Sequence, residues 1–209
     1  MSELTERRFP MVVADDLSEY SDHVLVHAFD QAARTEHPAI HILSVVSDDH
    51  GLLHRPTEAD LVALEERAKE TLVVQVLRLL DDAVPAATRA TWQTRLHVRR
   101  GRPEEEIIEL AAAVGAGLLV LGRFGHSRRR RLGRLGSIAD RVLAHAECPV
   151  LLVTGGRETT ASDRQCPDCV HVRSESDGER WFCAQHHGER VGYSVLLHGS
   201  PLARGGTMW

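Results

Sequence analysis

The run LLVLGRFGHSRRRRLGRLGS, residues 118–137, sets a fully apolar strand directly before a glycine-rich turn and a helix start. Leu118 to Leu121 carries no polar side chain, which suits a strand buried on both faces. Ser137 stands where a helix cap belongs and opens a helix to about Ala144. Backbone amides at a glycine turn and at a helix N-terminus cradle phosphates. Arg128 to Arg131 in the same loop would add charge-assisted contacts. On spacing alone the segment is equally a solvated basic loop.

Working outward, residues 9–154 alternate strand and helix. Phe9 to Ala14 is an apolar strand ending in Asp15 and Asp16. Ser18 is positioned to cap a helix running to about Thr35, with Val24, Ala28, Phe29 and Ala32 on one face. Ile40 to Val46 is a second strand. Thr57 to Asp82 reads as a long helix, because Leu61, Leu64, Ala68, Leu72, Val76 and Leu79 recur at steps of three and four. Thr91 to Val98 alternates as a strand. Pro103 opens a helix as a first-turn proline, followed by Glu104, Glu105 and Glu106. Val150 to Val153 is the last strand. Five short strands with helical crossovers predict a doubly wound parallel sheet covered on both faces. Ligands of such sheets lie beyond the carboxyl ends of the strands, where the winding reverses.

Several of these segments, in order, resemble the universal stress protein (UspA-like) family. Gly122, Gly125, Gly136 and Ser137 are similar to its G-x-x-G…G-S motif. Val13 to Glu19 is similar to its opening strand and Asp-x-Ser-Glu turn. Gly101-Arg102-Pro103 and Cys148 to Val153 resemble its third helix start and closing strand. The resemblance covers residues 9–154 and implies a five-stranded sheet in order 3-2-1-4-5, of the adenine-nucleotide alpha-hydrolase kind. It also implies ATP held between strands one and four. Asp16 would then accept from the adenine amino group, and Val45 would pack near the base. Gly122, Gly125, Gly136 and Ser137 would meet ribose and phosphates. A homodimer through the last strand is implied as well. Two departures stand out. Ten residues separate Gly125 from Gly136, one more than the family spacing. Asp15 replaces an uncharged residue, and two adjacent carboxylates near a triphosphate call for Mg²⁺ or an arginine to balance them.

Composition bounds the rest. The chain has 209 residues, 43% hydrophobic and 26% charged, with a formal net charge of −5. That balance argues against a nucleic-acid binder, which needs a basic footprint. Lys69 is the single lysine and lies in a helical pattern without glycine, so P-loop NTPase chemistry is excluded. No run long enough to cross a membrane is present, and residues 1–10 lack the apolar stretch of a secretory signal. Cytoplasmic location is the default. Cys148 reads as a packing thiol.

Residues 155–165 form a polar linker. Residues 166–198 then change character, and 199–209 read as a loose tail. Cys166-Pro-Asp-Cys169 is a C-x-x-C knuckle, and Cys183-Ala-Gln-His186-His187 follows. Two close pairs separated by a hairpin-length segment suit tetrahedral zinc. Strand-like runs around His171 and Trp181-Phe182 predict a zinc-ribbon-like hairpin. About 33 residues are too few for an apolar core, so a metal staple has a physical reason. Cys166, Cys169, Cys183 and His186 form the preferred set, with His187 as the alternative fourth ligand. A redox C-x-x-C pair and an incidental cysteine tail are the competing readings. Residues 155–209 hold six arginines against seven carboxylates, the wrong balance for phosphate-backbone binding. Contact with an unknown protein partner is the better guess. No nucleophile–base pair is legible, so an ATP-binding sensor or adaptor stands first. A scaffold without nucleotide is the alternative, and slow ATP hydrolysis a weaker third.

Overall fold

A computed structural model describes residues 8–47, 56–125, 135–154 and 165–186. The chain divides into two compact units, Met1–Gly156 and Arg157–Trp209. The first contains β1 (Phe9–Asp15), α1 (Ser21–Ala33), β2 (Pro38–Val46), α2 (Glu58–Ala83), α3 (Ala86–Arg89), β3 (Gln93–Arg100), α4 (Pro103–Val114), β4 (Leu118–Gly122), α5 (Ser137–His145) and β5 (Val150–Val153). Its five strands form one sheet in the order β3-β2-β1-β4-β5, with every pairing parallel.

Central strand β1 shows why the sheet is covered twice. Met11 and Val13 pack into one apolar layer with Val24, Leu25 and Phe29 of α1 and Leu72 and Val76 of α2. Val12 joins the other layer with Ile107 and Leu110 of α4 and Ala139 and Val142 of α5. Successive strand residues point to opposite faces, so a continuous apolar run is what a doubly covered strand requires. The order reverses between β1 and β4, and their carboxyl ends bound the crevice at this switch point.

Local signals account for several boundaries. Thr57 and Asp60 form a reciprocal capping box at the start of α2. Pro103 occupies the first turn of α4, and Gly115 ends that helix in the left-handed region at φ 61°. Glu104, almost fully buried, pairs with Arg141 and so ties α4 to α5.

Other boundaries differ from the sequence reading. Helix α1 starts at Ser21, and its N-cap, Tyr20, makes no side-chain cap bond. Ser18 is not the cap: its hydroxyl donates to Asp16 and accepts the Tyr20 amide at 3.3 Å, within the turn that precedes the helix. Ser137 is the first helical residue of α5 rather than its cap. Gly136 is the cap, held extended while its amide donates to the Arg123 carbonyl at 3.0 Å. Strand β3 begins at Gln93, and the one-turn helix α3 precedes it; alternation is a weak guide on this edge strand, none of whose residues is fully buried.

In the second unit the segment between the cysteine pairs is helical, α6 (Pro167–Glu175), and not a hairpin. Pro167 in the first turn and Asp168 beside it are helix-start residues that outweigh the β-branched run around His171. The Ser176 hydroxyl then donates to Val172 O at 2.7 Å and accepts the Arg180 amide at 2.9 Å, closing the turn back. The linker core, the arginine run 128–131, His187 and the 199–209 tail lie outside the described residues. Among the described residues no helix is long and apolar enough to cross a membrane.

Candidate functional site

The turn leaving β1 is organised around two carboxylates with opposite surroundings. Asp15 Oδ1 accepts the Leu17 amide at 2.6 Å, and Leu17 adopts φ 58° to close the turn. Asp15 is 4% exposed, and its Oδ2 is buried without a hydrogen-bond partner. Burial, opposed by the Leu17 amide and reinforced by the charges of Asp16 and Asp22, pushes its carboxyl up to about 6.

Asp16 is exposed and held from one side. Its Oδ1 accepts the Ser18 hydroxyl at 2.6 Å, the Ser21 hydroxyl at 2.7 Å and the Ser18 amide at 3.1 Å. Three donors on one oxygen orient the carboxylate and leave Oδ2 as the outward acceptor. That oxygen faces Gly125, where an added Cβ would lie 3.6 Å away. Ser18, expected as a helix cap, and Ser21, which the motif does not single out, both hold the Asp16 carboxylate, and serines shortly after a strand-end aspartate are the signal of such a turn.

The partner loop is pinned at its neck. The Arg123 amide donates to Val153 O at 2.8 Å, and the Arg123 carbonyl accepts from Gly136. A Cβ on Gly136 would stand 3.0 Å from that carbonyl oxygen. A Cβ on Gly122 would stand 3.2 Å from the Phe124 carbonyl and 3.4 Å from Val24. A side chain at either position would press on the loop's own backbone, so close self-approach favours glycine at both before any ligand is considered. Gly125, by contrast, meets only ordinary contact.

Asp16 and Gly125 thus come together at the ends of β1 and β4, with Gly136 beside Gly125 and Gly122 on the same turn. Ser137, exposed at the first residue of α5, follows Gly136. Val45 lies toward the end of β2, one residue beyond the Asp15–Ser44 pairing, and packs with Ala14 in the α4–α5 layer. On the other side of the turn a cavity of about 520 Å³ is lined by Glu19, Asp22, Glu70 and Arg78 among others. Its acidic lining has the wrong sign for a triphosphate.

The second unit gathers Cys166, Cys169, Cys183 and His186, whose ligand atoms lie within 4.8 Å of one another. His186 Nδ1 is 3.4 Å from Cys169 Sγ and 3.5 Å from Cys183 Sγ. Bonds of about 2.3 Å to sulfur and about 2.0–2.1 Å to nitrogen give a tetrahedral S···N edge of about 3.6 Å, so the donor set fits zinc. The Cys183 amide donates to Cys169 Sγ at 3.3 Å. Burial pushes the Cys183 thiol up, but the His186 and Gln185 amides and the neighbouring thiols outweigh it and leave it low. Cys169 and Cys183 are the only buried residues between 165 and 186 among those described, so this segment has no apolar core of its own.

Comparison with known proteins agrees with this geometry. The description "Universal stress protein family" matches residues 8–154. Universal stress protein G of Shigella flexneri is 33% identical over 136 residues, covering 65% of this chain and 89% of that protein. Universal stress protein MJ0531 of Methanocaldococcus jannaschii is 41% identical over 64 residues, which is 30% of this chain and 37% of that protein. Universal stress protein UspA from Lactobacillus plantarum has the same fold, with a TM-score of 0.57 and 24% identity over 70% of this chain and 98% of its own. A match across nearly the whole first unit, on a sheet wound in the same way, means that this chain belongs to the universal stress protein family.

Proposed function

We propose that the first unit binds an adenine nucleotide, ATP with Mg²⁺, at the crevice between β1 and β4, and acts as a sensor or adaptor in the cytoplasm. The observation that supports this most is the Asp16 carboxylate, anchored through Oδ1 and open through Oδ2 beside Gly125. An oriented acceptor next to a side-chain-free turn suits an exocyclic amino group. Gly122, Gly125, Gly136 and Ser137 would line the ribose and phosphates, and Val45 the base. The Ser137 hydroxyl and the first amides of α5 offer donors to phosphate oxygens. These groups bind and orient, and binding without turnover is the proposed activity. Calorimetry of the full chain with millimolar ATP and Mg²⁺ tests it; an absence of heat at that concentration rejects it.

One observation favours a scaffold without nucleotide. Gly122 and Gly136 are already favoured by the self-contacts of the loop neck, so their presence does not by itself demand phosphate. On that reading the domain works through protein contacts and a homodimer formed by β5.

For the second unit we propose one zinc ion per chain, held by Cys166, Cys169, Cys183 and His186. Four protein donors close the coordination sphere, as in structural sites. The ion would supply the folding energy this segment lacks, and the unit would serve contact with a protein partner. Elemental analysis after expression in zinc-supplemented medium, with the thiols confirmed reduced, tests this; a metal-free protein rejects it.

A further inference from the structure

We propose that the Cys166–Cys169–Cys183–His186 centre is a hydroperoxide-responsive switch in which Cys166 reacts first and Cys169 closes a disulfide, releasing the metal. This rests on the zinc reading above.

The three sulfurs are not equivalent. Cys169 and Cys183 are 6% and 7% exposed, whereas Cys166 is only partly buried. Cys169 Sγ accepts the Cys183 amide at 3.3 Å. Hydrogen bonds of this kind draw density from a thiolate and blunt its nucleophilicity. Among the described residues no amide donates to Cys166 Sγ. It also stands at the N-cap position of α6 and makes no side-chain cap bond there. Access and a sulfur without an amide donor therefore coincide on one cysteine of the set.

Cys169 is three residues on, across the first turn of α6, in the C-x-x-C spacing that closes readily. The chemistry balances with a hydroperoxide as the oxidant. Cys166 thiolate attacks the distal peroxide oxygen, the O–O bond breaks, and the alcohol leaves after taking one proton. The resulting sulfenic acid is attacked by the Cys169 thiolate, forming the S–S bond and expelling hydroxide, which a second proton converts to water. Two thiolates lose two electrons in total, and the peroxide gains them. The centre is left with Cys183 and His186, two donors where four are needed, so the ion departs. Since the segment buries nothing apolar, residues 165–186 then lose their fold.

The test uses the full reduced chain with its zinc content measured first. Hydrogen peroxide is added, zinc release is followed with a chromogenic chelator, and thiols are mapped by alkylation and mass analysis. One zinc should leave per chain as two thiols disappear into a Cys166–Cys169 disulfide. Dithiothreitol should restore both. Cys148, whose thiol burial pushes up, should remain alkylatable. Cys166→His keeps a metal donor while removing the reactive sulfur, and should slow release more than tenfold. In wild-type protein at partial oxidation, Cys166 should carry the first modification, which holds whether or not the histidine variant folds. Retained zinc with all three thiols intact, first modification at Cys183, or unchanged release from Cys166→His each overturns the switch. A chain that never binds zinc removes the zinc reading itself, and the initial metal content distinguishes that failure from an unreactive centre.

Discussion

Asp15 and Asp16 are neighbours in the chain, yet the fold assigns them different physics. Asp16 is solvated and anchored by serines, and Asp15 is buried with one oxygen unpartnered. The Asp15 carboxyl ordinarily titrates at 3.8 and is pushed up to about 6 by burial in the folded chain, so folding takes up a proton between those values. Below that window Asp15 costs nothing. As pH rises through it, the buried charge opposes folding by up to about 3 kcal/mol. Asp15→Asn should therefore match wild type near pH 4 in denaturant titrations and exceed it at pH 7; a gain of the same size at both pH values would refute the assignment. At the glycines, the same spacing conceals two roles. Gly125→Ala sends a methyl group toward Asp16 Oδ2 without a backbone clash, and should weaken ATP roughly tenfold, about 1.4 kcal/mol, at unchanged Tm. Gly136→Val strikes the Arg123 carbonyl and should cost about 1–3 kcal/mol of stability, visible in Tm before any ligand is added.

At the level of elements, helix ends carry much of the definition. α2 is 26 residues long, and only Ala68, Leu72, Gln75, Val76 and Leu79 of it are buried. So narrow a buried stripe leaves its first turns dependent on the Thr57–Asp60 capping box. Thr57→Ala should cost about 1 kcal/mol, with hydrogen exchange rising first around residues 58–64. Uniform exchange along the helix would show the cap to be dispensable. The start of α1 illustrates the converse. Ser18 has the right chemistry for a cap, but its hydroxyl serves the turn instead, donating to Asp16 and accepting the Tyr20 amide, and the helix begins three residues later without a side-chain cap. In α6 the helix-start signals of Pro167 and Asp168 prevail over a short β-branched run, and the knuckle is set across a helical turn.

Across the whole molecule, the two units differ in what holds them. Residues 9–154 have two apolar layers, and residues 165–186 have two buried cysteines. Chelation should therefore abolish exchange protection in 165–186 and spare 9–154; loss in both, or in neither, would contradict a metal-held second unit. His186→Ala should weaken zinc more than His187→Ala. The strand Val150–Val153 lies at the sheet edge, where an apolar strand invites pairing, and a dimer mass in sedimentation equilibrium at micromolar concentration is the expected outcome. The sheet was legible because its signals are local and periodic: apolar runs of strand length, helical spacing through α2, proline at the start of α4. The cysteine and histidine set was legible for the same reason, since ligands close in sequence converge with little help. By itself the sequence determined the parallel doubly wound architecture and the cluster of cysteines and histidines, while the strand order that sets the switch point came with the family resemblance. Only the tertiary structure decided which aspartate is buried, which glycines serve the loop neck, and that α6 stands where strands were expected. Those outcomes depend on what each group meets from distant parts of the chain, such as the Arg123 carbonyl at Gly136 or the desolvation of Asp15, and no local spacing encodes them.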